Sequence, residues 1–137
     1  MSLKLLVVTP EKKVVETEAD TVELPGELGY LGILPGHTPL ITLLATGVLS
    51  YRHGATEQSF ALSSGFAEVA GDVVTVLAER AEAPQEIDAA AAQRDREKAE
   101  EEMKTAGIET LPAVRARLDL AEARLAVARG RSSEPVS

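Results

Sequence analysis

From Leu3 to Ala78 the chain is cut by a turn signal about every 8–12 residues. A segment broken that often has room for short strands but not for helices of ordinary length. The apolar runs are residues 3–8, 13–17, 21–24, 30–34, 40–45, 48–52, 57–62, 66–70 and 73–78. Between them lie Thr9-Pro10, Ala19-Asp20, Pro25-Gly26, Pro35-Gly36, Thr46-Gly47, His53-Gly54, Ser63-Ser64-Gly65 and Gly71-Asp72. Proline presets φ and glycine reaches positive φ at no steric cost, so these residues turn the chain where bulkier ones would not. Such a succession points to an antiparallel β-sandwich or barrel. In one run Gln58, Phe60 and Leu62 share a face, with Ser59, Ala61 and Ser63 on the other. The run Val73-Val-Thr-Val-Leu77 lacks that alternation. It predicts a strand apolar on both faces, lying between the core and a partner surface.

The composition changes sharply at Ala81-Glu-Ala-Pro84. Eight of the ten glycines and every Tyr and Phe lie before it, and alanine, glutamate and arginine in helical spacing follow. Pro84 precedes a first helix with Asp88 as its N-cap and Gly107 as its C-terminal stop. Its apolar stripe is Ala92, Ala99, Met103 and Ala106. Thr110 is placed to cap a second helix, Pro112 sits in its first turn and Gly130 ends it. There the stripe runs Leu111, Val114, Leu118, Ala121, Leu125, Ala128, alternating spacings of 3 and 4. The short connection makes an antiparallel helical hairpin. The expected organisation is a sandwich over residues 1–84, a hairpin over 85–130 and an unstructured tail at 131–137. An alanine stripe facing a leucine stripe buries little area, so the hairpin needs further cover from the sandwich or a partner.

The net charge of −8 argues against a nucleic-acid binder or a protein drawn to anionic lipid. Cysteine is absent, which removes disulfides, thiolate nucleophiles and Cys-based zinc sites. The apolar start is too short for a signal core, and no run is long enough to span a bilayer, so a soluble chain without membrane insertion is expected. Gly26, Gly29, Gly32 and Pro35-Gly36 suggest a phosphate loop at first sight. Yet strand-like residues lie on both sides, and neither a lysine nor a helix start follows. A shaped β-corner is the better reading. His37 and His53 have no partner at metal-ligand spacing. Ser63 and Ser64 lack the strand-to-helix setting of a nucleophile elbow. Neither a metal, a cofactor nor a catalytic residue is expected. On the first helix the charges interleave, with Glu100 and Lys104 in the favourable i,i+4 order. The second helix carries Arg115, Arg117, Arg124, Arg129 and, just beyond, Arg131. Those arginines suit either an acidic partner or the acidic first helix.

Taken together, Gly29-Tyr-Leu-Gly-Ile-Leu-Pro-Gly-His-Thr-Pro-Leu40, Thr46-Gly-Val48, Ser63-Ser-Gly-Phe66, Val73-Val-Thr-Val-Leu77 and Ala126-Val-Ala128 resemble the epsilon subunit of bacterial F-type ATP synthases (delta in mitochondria). The resemblance covers essentially the whole chain. It implies an N-terminal β-sandwich of about ten strands and two C-terminal helices. It also implies a non-catalytic subunit of the rotating central stalk, peripheral on the cytoplasmic face of the bacterial inner membrane. The sandwich would bind the gamma subunit and rest on the c-ring of the proton-translocating synthase. Tyr30, Gly32, Leu34, Gly36 and His37 would form the c-ring/gamma interface. The hairpin would lie folded, or extend along gamma into the alpha/beta catalytic head and impede ATP hydrolysis through Arg115, Arg117, Arg124 and Arg129.

Two positions depart from the family pattern. Tyr30 stands where many relatives have an acidic residue. Relatives that bind ATP begin the first helix Ile/Leu-Asp-x-x-Arg-Ala, whereas here it is Ile87-Asp-Ala-Ala-Ala-Ala92. Asp88 and Arg124 are the remaining matches to that ATP site; Ala91 and Leu120 replace its other two cations. A nucleotide-sensing module locked by ATP is therefore the alternative function. Each lost charge-assisted contact is worth about 1.5–3 kcal/mol, so binding should be weaker than millimolar. Titration calorimetry of the isolated chain with ATP checks this, and micromolar heat signals would contradict it.

Overall fold

The computed structural model describes residues 2–130; the tail expected at 131–137 lies outside the described residues. Ten strands come first: β1 (Leu3–Val8), β2 (Lys13–Ala19), β3 (Thr21–Gly26), β4 (Gly29–Ile33), β5 (Leu40–Leu44), β6 (Gly47–His53), β7 (Thr56–Leu62), β8 (Gly65–Ala70), β9 (Val73–Ala78) and β10 (Ala81–Glu82). A single 3₁₀ turn at Pro84–Glu86 leads to α1 (Ala89–Met103) and α2 (Leu111–Ala128). The sandwich-plus-hairpin class expected from the sequence is the one found. β10 eluded the sequence because a two-residue strand shows no periodicity; it pairs Ala81 and Glu82 with Leu62 and Ala61 of β7.

All strands hydrogen-bond along one path, β10-β7-β6-β3-β5-β8-β9-β1-β2, with β4 joined to β3. The path wraps so that inward side chains from every part of it share one core. Leu5, Val7, Val22, Leu24, Ile33, Leu49, Leu62, Val74 and Val76 have no exposed surface there. With few aromatics, close packing of branched aliphatics does the filling; Phe60, stacked on Tyr51 with ring centroids 6.4 Å apart, is an exception. One pairing departs from the antiparallel expectation: β1 runs parallel to β9, Lys4 opposite Val73 through Val8 opposite Leu77.

Pro25-Gly26, read as a turn in the sequence, belongs to β3. Proline is tolerated there because β3 changes partner at that point, from β6 at Thr21–Glu23 to β5 at Gly26. Gly65, read as a turn residue, opens β8. A Cβ on it would lie 1.9 Å from the Leu77 carbonyl oxygen, so only glycine permits that approach of β8 to β9.

The helix ends are partly as expected. Asp88 caps α1, its Oδ1 accepting the Ala91 N–H at 3.0 Å, and Gly130 follows α2 at φ 74°. Gly107 does not stop α1, which ends four residues earlier at Met103 in two tight turns, Lys104 N–H to Glu101 and Thr105 N–H to Glu102. Thr110 does not cap α2. Its hydroxyl instead bonds the backbone of Gly107 and closes the connection. Lys104 pairs with Glu101 rather than Glu100, which takes Arg96.

α2 carries two apolar stripes rather than one. Val114 and Leu118 pack with Ala99, Met103 and Ala106 of the first helical segment. Ala123 and Val127 pack on Val48 of β6 and Ala61 of β7, with Ile87 and Ala126 at the margin. The missing cover for the hairpin is thus the outer face of β6 and β7, reached by a second stripe. At its N-terminal end Leu111, counted in the stripe, is exposed.

Candidate functional site

Where the hairpin does not reach, the outside of the sandwich is apolar. Strand register places Leu43 of β5 beside Phe66 of β8, Phe66 beside Leu77 of β9, and Leu77 beside Val8 of β1. Side chains at paired positions share a face, so these four form a row across four strands. Their alternates Val7, Ala67, Leu44 and Val76 point into the core. Leu43 is 60% and Phe66 44% exposed, and a cavity of about 410 Å³ opens between Thr9-Pro10 and the Phe66–Leu77 end of the row. A second cavity, about 400 Å³, adjoins it under the β3–β4 hairpin, where Leu28 and Ile41 are also bare. Isolated exposed leucines are ordinary on a protein surface, whereas these side chains are contiguous on a regular sheet. The run 73–77, read in the sequence as apolar on both faces, contributes Leu77 to the row. Leu43, Phe66 and Val8 could not be joined to it without the strand order.

The five residues expected to contact a rotor partner do not form one patch. Tyr30 in β4 and Leu34 just past its end stand four residues apart, roughly 13 Å at the rise of a strand. Tyr30 lies toward the Leu28 tip, and its hydroxyl accepts the Val48 N–H of β6 at 3.0 Å. Gly47 makes room for it, since a Cβ there would sit 2.8 Å from that oxygen. Half of Tyr30 remains exposed. Its tip is therefore structural, standing in for a strand partner that Pro25 does not provide.

Leu34, Gly36 and His37 occupy the opposite end. Leu34 is 58% exposed at the start of a tight turn, with the Leu34 carbonyl accepting the His37 N–H at 3.1 Å. His37 Nδ1 donates to the Thr38 carbonyl at 2.7 Å. Two aspartates tie the loops of this end together. Asp72 accepts the Gly36 N–H at 2.7 Å and Asp20 the Gly54 N–H at 2.8 Å. Gly32 lies exposed within β4 with open space about it.

Each arginine of α2 is engaged in the docked hairpin. Arg115 pairs with Asp119 at 3.4 Å, Arg117 with Glu102 of α1, and Arg129 donates to Gln93 at 3.4 Å. Arg124 makes a two-pronged contact with Glu82 of β10, at 2.7 and 2.9 Å. Glu82 was invisible as a partner because no spacing rule links residues 42 apart. Both side chains are about four-fifths buried, so this is not a screened surface pair. The Glu82 carboxylate raises the Arg124 pKa above its ordinary value. The hydrogen bond from Arg117 holds the Glu102 carboxyl below its usual range. That contact supports the hairpin above the ordinary carboxylate pKa and fades as pH falls through the lowered one. Of the two residual ATP-site matches, Asp88 caps α1 and Arg124 holds Glu82. Arg131 lies outside the described residues, among which no cluster of His, Asp and Glu could hold a metal.

Residues 2–84 match the family model of the ATP synthase, Delta/Epsilon chain, beta-sandwich domain. The chain is 43% identical to the ATP synthase epsilon chain of Synechococcus sp. (strain CC9902), over 98% of its own length and 100% of that protein. It is 52% identical to the ATP synthase epsilon chain of Koribacter versatilis, over 75% and 72% of the two chains. Among solved structures it superposes on a chain of the Euglena gracilis mitochondrial ATP synthase, OSCP/F1/c-ring, with TM-score 0.81, 21% identity and coverage of 93% and 81%. A chain of the Tetrahymena thermophila mitochondrial ATP synthase central stalk and c-ring gives TM-score 0.66, 12% identity and coverage of 93% and 97%. These distant structures share the fold.

The Tyr30 contact is testable without any partner. Tyr30→Phe leaves the Val48 N–H without its acceptor and should lower stability by about 1–2 kcal/mol in denaturant unfolding. An unchanged midpoint would mean that the hydroxyl contributes nothing.

Proposed function

The chain belongs to the delta/epsilon chain family of ATP synthases, as a non-catalytic subunit, and from that premise we propose that it works in the rotating central stalk. Its sandwich binds gamma and rests on the c-ring, transmitting proton-driven rotation, while its hairpin restrains ATP hydrolysis. The observation that carries the coupling role is the row Leu43–Phe66–Leu77–Val8, of which Leu43, Phe66 and Leu77 are exposed and Val8 is half-buried. A regular, pre-formed apolar face suits a helical partner such as a stalk subunit, because little ordering is needed on binding. The exposed turn at residues 34–37 and the Leu28 tip stand at opposite ends of the sandwich as contacts for other rotor elements. The site lies on the cytoplasmic face of a bacterial inner membrane, and no helix among the described residues is long and apolar enough to cross one.

The hairpin's docking supports the regulatory half of the proposal. Its sheet contact consists of alanines and two valines with one ion pair. Alanine buries little, so docked and released states lie close in free energy. Release frees Arg124 from Glu82, and extension along gamma carries the arginine-bearing helix toward the alpha/beta catalytic head.

Two measurements check these roles. Leu43→Asp changes an exposed side chain, so the isolated chain should stay folded while gamma capture in a pull-down falls at least about tenfold. Capture at wild-type level would remove the row as the gamma site, whereas the chain lacking residues 85–137 should still capture gamma. In the assembled enzyme, deleting residues 88–137 should raise ATPase activity with assembly intact. Glu82→Gln, which loosens docking, should lower that activity, and no change in either variant would count against restraint by the hairpin.

A further inference from the structure

Among the described residues Asp72 is the one non-glycine with a left-handed backbone, at φ 61°, beside Gly71 at φ 56°. The two residues form the tight link of the β8–β9 hairpin, Ala70 being paired with Val73. That is the type I′ arrangement, which needs positive φ at both central positions. Glycine would occupy position 72 without strain, and an aspartate there runs against the local preference. Its side chain supplies the reason. Oδ1 accepts the Gly36 N–H at 2.7 Å across 36 residues of sequence, while the Asp72 carbonyl accepts the Lys4 N–H at 2.9 Å. One residue thereby joins the β8–β9 link, the start of β1 and the turn after β4.

Gly36 is the third residue of that turn, with φ 85° and the Leu34 carbonyl bonded to the His37 N–H. Proline second and a positive-φ glycine third make it type II. Types I and II differ by a flip of the central peptide, here Pro35–Gly36, and the N–H that Asp72 accepts belongs to that peptide. Flipping it would turn the N–H away and aim the Pro35 carbonyl oxygen toward the carboxylate, which repels it.

We propose that Asp72 is a positioning residue for the rotor-facing turn, its carboxylate holding the Pro35–Gly36 peptide in one of its two orientations. The orientation fixes where the Pro35 carbonyl and the side chains of Leu34 and His37 meet the partner. This rests on the reading of residues 34–37 as a rotor contact.

Two substitutions separate the side chain from the backbone. Asp72→Gly keeps the left-handed conformation and removes the carboxylate; Asp72→Asn keeps an oxygen acceptor. In the isolated full chain, Asp72→Gly should speed amide exchange at Gly36 by about tenfold, with the unfolding midpoint little changed and Asp72→Asn close to wild type. In the reconstituted enzyme Asp72→Gly should lower the protons pumped per ATP hydrolysed, and Asp72→Asn should restore them. Unchanged Gly36 exchange in Asp72→Gly overturns the inference. Faster exchange with intact coupling also overturns it if Leu34→Ala lowers coupling. If Leu34→Ala leaves coupling intact as well, the contact reading of the turn fails and the positioning role falls with it.

Discussion

The approach of α2 to the outer face of the sandwich depends on the compact side chains that the sheet offers there. β6 and β7 supply Val48 and Ala61, and α2 answers with Ala123 and Val127. Much else follows from this contact. It makes β7 a strand buried on both faces, Phe60 and Leu62 in the sandwich core and Ala61 under the helix. It brings Arg124 over β10, where Glu82 receives it. It also leaves α1 as an outer layer, held through α2 by Ala99, Val114 and Leu118. The small side chains that permit the contact also keep it weak, since each buries little apolar area.

The sandwich is consequently covered on one side by its own chain and bare on the other. The open side carries a row of large aliphatic and aromatic groups, the covered side the smaller Val48 and Ala61. Contacts of such different size have different lifetimes, because off-rates track the apolar area and anchors engaged. On the proposed function, the Leu43–Phe66 face suits the lasting attachment and the hairpin the reversible one. That division fits the roles proposed for the two faces.

Local signals in the sequence were sufficient for some of this and not for the rest. Turn residues marked nine of the ten strands, since proline and glycine act through their own backbone. Asp88 as cap and Gly130 as stop were legible for the same reason. The run 73–77 was read as apolar on both faces, and Val73 and Leu77 are its exposed members. Thr110 and Gly107 misled because each offers a plausible helix-end chemistry, and the two instead bond to one another across the connection. Pro25 misled because its meaning depends on which strands flank β3. Arg124 was singled out for a phosphate, yet its partner is Glu82, which only the three-dimensional fold brings near. The second stripe on α2 was masked by its own composition, as alanines and valines on two faces blur the period of either.

The parallel pairing of β1 with β9 bears on how the molecule comes into being. β1 precedes the other nine strands in the chain, and antiparallel pairing with the adjacent β2 satisfies one of its edges locally. Its other edge waits for residues 73–77, the last long strand of the sandwich. Closing a loop of that length costs conformational entropy before any contact repays it, so completion of the core is a late, non-local event. Until then Leu3, Leu5 and Val7 have no complete core to enter, and the nascent chain carries an unpaired apolar edge. The same strand that completes the core, β9, also presents Leu77 on the open face. The outer row therefore becomes a formed surface only when the fold has closed, so partners that recognise it meet a finished subunit rather than a partly folded one.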